Sequence, residues 1–379
     1  MRAPWLVISW VAAALAVTTG CSGSDQDTKS GSQGEGYNVG SCASAAYTEN
    51  LAACTPAATD YQPRAGHLST NGWPACVSDD NSWHLMGASI PPAASRVAAY
   101  VQMGTKLWHN TSRPSKEDFL AARDLYSIEE GLASRIGRRQ DISYAEISSD
   151  KFACSDPNVA VAHPDRCAGP GKLKPIIDDA FVNGIAQTKP LVQAARLEAA
   201  LTWFFYLSMT SEVWTCSFDD ITDCDAAGGY YTQLTQRGTP TGMAAAVHAQ
   251  SPGTHDRIYD ALLAARCWRD VDAAMPAADN ENTAGGLYNK AQAQLSKAAL
   301  RGEALLLRER IGWIACGSAD NQEANIAYVS VLGGLIDHAA AAIDATQAAA
   351  LRAFTSAPTN DSAKIVAAQA ALDALFACP

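Results

Sequence analysis

From Ala93 onward, apolar residues recur every three or four positions in alanine-rich segments separated by clusters of Pro, Gly and Asp. That spacing places the apolar positions on one face of an α-helix, and alanine has the highest helix propensity of any residue. Helices are expected over Ser95–Trp108, Ser115–Arg139, Pro175–Ala186, Leu191–Thr215, His255–Val271, Ala284–Ile314, Asn321–Ala349 and Ser362–Phe376. The second has its own start signal: Ser115 can cap the helix, Asp118 three residues later can answer it, and arginines near the far end suit the helix dipole. No stretch alternates apolar and polar residues with the β-branched content of a sheet. The expected fold is all-α, a helical bundle or layered helical array. Two cysteine-bearing loops, Cys154–Lys172 and Cys216–Gly229, join long helices and are expected to be braced by disulfides.

The pattern before Ala93 is different. An apolar stretch from Trp5 to Val17 follows one arginine and ends in Thr-Thr-Gly-Cys, the order of a secretory signal and too short for a permanent bilayer span. With Gly20 before Cys21, this ending resembles the lipobox of bacterial lipoproteins, which implies acylation (palmitate among the chains) at Cys21 as the mature N-terminus. Ser22 after it implies the outer membrane by the same resemblance. Residues 1–20 are therefore read as signal peptide and 21–41, rich in Ser, Gly and charge, as a flexible tether. Residues 42–92 carry Cys42, Cys54 and Cys76 without sustained period and are read as irregular, disulfide-fixed structure; 93–379 form the helical domain.

Cysteine content agrees with export. The chain has 11 cysteines; without Cys21, 11 − 1 = 10 remain: Cys42, Cys54, Cys76, Cys154, Cys167, Cys216, Cys224, Cys267, Cys316 and Cys378. An even number in an oxidising compartment allows five bridges, and no CxxC or zinc spacing is present. The net charge of −11, with no basic block, excludes a nucleic-acid footprint. The membrane is then reached through the N-terminal lipid alone, and an outer-membrane receptor or envelope protein is the expected kind of partner.

The candidate chemistry is charge inside apolar helices. Arg196-x-Glu198-Ala and Arg301-x-Glu303-Ala repeat one phrase, and Glu198 shares a stripe with Glu212 in a helix apolar on nearly all sides. Buried carboxylates need a cation, a metal or hydrogen-bond donors. Two answers are open: reciprocal ion pairs, Glu198 with Arg301 or Arg310 and Glu303 with Arg196, or a carboxylate-lined site that Glu129 and Glu130 could join from a facing helix. Asp219, Asp223 and Asp225, with Tyr230 following, make an acidic loop able to hold calcium, although not at EF-hand spacing. Of the histidines, His255 with Asp256 and Tyr259 nearby most suggests a site. No GxSxG, HExxH, Glu-x-x-His or Walker loop occurs, so catalysis has no recognised signature.

An exported, alanine-rich, all-helical lipoprotein resembles in character the imelysin-like proteins of bacterial envelopes, which implies a link to iron acquisition. Their GxHxxE motif has no counterpart here, so no residue is carried over. The expected function is a ligand- or partner-binding lipoprotein without catalysis; the alternatives are a periplasmic iron- or calcium-binding protein in uptake and an enzyme of unrecognised type.

Overall fold

The computed structural model describes residues 54, 82–85, 89–147, 153–216, 221–274 and 284–379. All of them belong to the unit Gly34–Pro379. The signal peptide, the tether, most of the irregular segment, and with them Cys21, Cys42, Cys76 and Asp219, lie outside the described residues.

The described residues form thirteen α-helices and no strand, so the fold is all-α. In chain order they are α1 (Pro92–Lys106), α2 (Lys116–Tyr126), α3 (Leu132–Ile136), α4 (Pro157–Ala162), α5 (Lys174–Ile185), α6 (Pro190–Cys216), α7 (Ile221–Thr232), α8 (Gly242–Gln250), α9 (Pro252–Ala274), α10 (Ala284–Trp313), α11 (Ala319–Ile343), α12 (Ala345–Ser356) and α13 (Ser362–Leu375). Local chemistry sets several ends. Ser115 and Asp118 form the reciprocal cap of α2. Asp344 and Asp361 accept backbone N–H groups at the starts of α12 and α13.

Helix α6 organises the fold. It buries residues on every side, Leu197, Leu201, Phe204, Phe205 and Met209 among them, and it packs against α5, α7 and α11, with α9 and α10 touching it more lightly. Each large apolar side chain removed from water there contributes about 1.5–3 kcal/mol. Helix α11 is long and apolar enough to cross a membrane, but here it buries Ala324, Tyr328, Leu332 and Ile336 in the protein interior. Close packing also depends on small residues: a Cβ on Gly184 of α5 would stand 2.3 Å from the Phe119 ring of α2.

Four sequence expectations are corrected. The helix expected over Ser115–Arg139 stops at Tyr126, because Glu130 takes a left-handed backbone (φ 55°) and Gly131 approaches the Ile128 carbonyl too closely for a side chain. Most of the acidic segment expected as a loop is helix α7, whose first turn holds Asp223 against the helix dipole. Helix α8 was not expected, and the span Asn321–Ala349 divides in two at Asp344, which caps α12.

Disulfides join Cys54 to Cys378, Cys154 to Cys167 and Cys216 to Cys224, and Cys267 is also disulfide-bonded. Cys316 is a free thiol, so the ten cysteines do not all pair as the even count suggested. The first bridge ties the cysteine-bearing segment before the helices to the end of the chain.

Candidate functional site

The embedded charges of α6 and α10 are arranged by helical phase. Glu303 and Arg310 lie seven residues apart, on one face two turns from each other, whereas Arg301 points nearly opposite to both. Arg310 accordingly reaches α6 and donates to Glu198 Oε1 at 2.6 Å, with both side chains buried. Its guanidinium also lies over the rings of Tyr328 (4.4 Å) and Trp313 (4.8 Å). Arg301 turns to the C-terminus instead, donating to Thr254 Oγ1 at 3.0 Å and to the carbonyls of Phe376 and Ala377. Arg196 pairs with Asp179 of α5, because two residues along a helix carry it about 200° away from Glu198.

The second reciprocal pair is therefore absent: Glu303 does not meet Arg196. Glu303 is 1% exposed, and its Oε2 has no hydrogen-bond partner. Burial alone pushes its carboxyl well above the ordinary range. It lies within electrostatic reach of the buried tyrosines Tyr100, Tyr231 and Tyr328 and of the half-buried Tyr206.

The remaining candidates do not converge with these. Glu212 accepts from Arg139 at 2.8 Å, and Arg135 lies 3.7 Å away. Tyr230 is fully buried beside them, its hydroxyl accepting from Arg96 at 2.8 Å. Arg96 also forks onto the Glu130 carbonyl at 2.7 and 3.1 Å. The side chains of Glu129 and Glu130 are exposed in the turn after α2 and face no carboxylate of α6. His255 is a satisfied core residue: its Nδ1 lies 3.0 Å from the Tyr231 hydroxyl and its Nε2 3.0 Å from the Arg237 carbonyl. Burial pushes its imidazole down to about 4, so it is neutral at physiological pH. Asp225 accepts from Trp83 Nε1 at 3.1 Å and lies 3.8 Å from Arg266, which turns it away from any loop site. Among the described residues no group of three His, Cys, Asp or Glu side chains is placed to hold a metal ion.

A cavity lies elsewhere, with about 370 Å³ of open space between α6, α10, α11 and the short loop Asp141–Ser143. Thr210, Val213, Leu295 and Leu335 are its buried walls, while Trp214, Asn289, Ser296 and His338 stand exposed around it. Asp141 is 7% exposed; its Oδ1 accepts from the Ser143 amide (2.9 Å) and hydroxyl (2.5 Å), and its Oδ2 is left facing the cavity with no hydrogen bond from the described residues. Arg166 holds this loop from behind by donating to the carbonyls of Asp141 (3.1 Å) and Tyr144 (2.7 Å). Burial, followed by the charges of Asp141 and Glu303, raises the Tyr206 hydroxyl far above its usual range, so it stays protonated and able to donate.

None of the sequence-derived site residues lines this cavity. One signal could have pointed to it. Asn289, Gln292 and Ser296 form a polar stripe at helical spacing on α10. Asp141 and Ser143 sit in a short connecting segment, and no motif marks them. The arrangement suits binding: apolar walls, a few polar groups and one acid, which holds the Ser143 hydroxyl in its own turn. No protein-family model matches the chain, and neither a curated protein nor a solved structure matches it.

Proposed function

We propose that this protein is a lipoprotein of the bacterial outer membrane, anchored by acyl chains on Cys21, whose helical domain binds a small amphipathic ligand without transforming it. The observation that carries the binding reading is the cavity between α6, α10 and α11, whose volume of about 370 Å³ falls within the range of small-molecule sites. Its mixture of apolar walls and convergent polar groups supports the same reading. The ending Thr-Thr-Gly-Cys at Cys21, followed by a Ser- and Gly-rich tether, supports the anchor. An envelope receptor or transporter is the natural recipient of such a ligand.

Two measurements test this. Metabolic labelling with radiolabelled palmitate is expected to mark the wild-type chain and not Cys21→Ser; equal labelling of both removes the anchor. Nile red, a neutral apolar dye, is expected to fluoresce on binding and to lose its signal in Ala293→Trp, which fills the cavity from α10. A signal unchanged by that substitution removes the cavity as the ligand site.

A further inference from the structure

The cavity carries a charge pattern that narrows its ligand. Among the described residues its lining contains one carboxylate, Asp141, one imidazole, His338, and no lysine or arginine. Asp141 is more than nine-tenths buried as a residue, and among the described residues no ion pair reaches its side chain and no hydrogen bond reaches its Oδ2. Its Oδ2 is open to the cavity, so a cationic donor that enters there gains a charge-assisted hydrogen bond. Among the described residues none is supplied: Arg166, the guanidinium closest to it in the hydrogen-bond network, is committed to the carbonyls of Asp141 and Tyr144 and to Gln140 Oε1. The cavity also presents two aromatic rings, Tyr206 and Trp214, whose electron-rich faces attract organic cations. An anion would meet uncompensated repulsion at Asp141, and an uncharged ligand would leave that carboxylate without a counter-charge.

Resting on the reading of this cavity as the ligand site, we propose that its ligand is an organic monocation: a primary or secondary ammonium on an aromatic or short aliphatic body. The ammonium N–H donates to Asp141 Oδ2. Tyr206 and Trp214 flank the body, which lies along Val213, Leu295 and Leu335.

The test is a charge series of near-identical shape, titrated calorimetrically into the purified full-length protein at neutral pH: 2-phenylethylammonium, 2-phenylethanol and 3-phenylpropanoate. The ammonium is expected to bind at least about tenfold more tightly than the alcohol, and the carboxylate not to compete. Asp141→Asn keeps an oxygen for the Ser143 turn and removes the charge; it is expected to bring ammonium and alcohol within about threefold of each other. Should that variant fail to fold, the series on the unaltered protein decides alone. Alcohol or carboxylate binding as tightly as the ammonium overturns the inference. If that binding is lost in Ala293→Trp, the cavity reading survives without the cation; if none of the three probes nor Nile red binds, both readings fall.

Discussion

Replacing Glu303 with methionine should stabilise this protein, and the gain should grow with pH. Glu303 is buried on α10 with Oε2 unpartnered, in a place where its helix neighbour Arg310 is already engaged by Glu198. An unsatisfied buried polar atom costs about 1–3 kcal/mol, and methionine fills a similar volume without one. The pH dependence follows from the raised carboxyl. The folded state holds the proton more tightly than the unfolded chain, so the contribution is fully present below the ordinary glutamate value of about 4.5 and is lost as pH rises toward the folded value. Across that window the wild type should lose up to about 1.4 kcal/mol per pH unit relative to Glu303→Met. Urea denaturation of both proteins with disulfides intact, from pH 4 to pH 8 in steps of about one unit, reads the difference directly. Glu303→Gln separates the two parts: it should flatten the pH dependence and recover little of the stability. A methionine variant less stable than wild type at neutral pH, with a pH profile parallel to it, would refute the reasoning, since that result requires a cation beside the carboxylate.

Removing Arg310 should do the opposite. Arg310→Met leaves Glu198 buried with its guanidinium partner gone and should cost about 3–5 kcal/mol, whereas adding Glu198→Gln should recover a large part of the loss in the same denaturation assay. A single variant within about 0.5 kcal/mol of wild type would show that the pair contributes nothing net. For His255 the direction with pH is reversed relative to Glu303. Its imidazole is held neutral with a folded value of about 4, so its contribution is present above the ordinary value of about 6.5 and is lost as pH falls toward the folded one. The loss is on the order of 3 kcal/mol, and His255→Gln should lack it; parallel curves for the two proteins between pH 4 and pH 7 would contradict the burial argument.

Helix positions were legible because the apolar period is strong and caps are local: Ser115 and Asp118 signal α2 without any tertiary information. What misled was continuity of period. The apolar spacing runs unbroken from Phe119 through Leu132, and only the left-handed turn at Glu130, held by Arg96 from a distant helix, separates α2 from α3. Helix α7 was hidden by its composition, since aspartates that read as a loop also suit a first turn. The buried charges were legible as residues that need partners, but the partner of each depends on helix rotation, and two residues of phase sent Arg196 to α5. The cavity was the least legible part. Val213, Leu295 and Leu335 each read as ordinary core, and only the juxtaposition of three helices leaves space between them.

The bridge between Cys54 and Cys378 spans a separation of 324 residues and so encloses every helix described. Tension applied to the polypeptide before Cys54 and after Cys378 passes through sulfur, and the enclosed rods carry none of it. A protease that cuts one connection between them leaves two pieces still joined through this disulfide, and a reductant is needed to let them part.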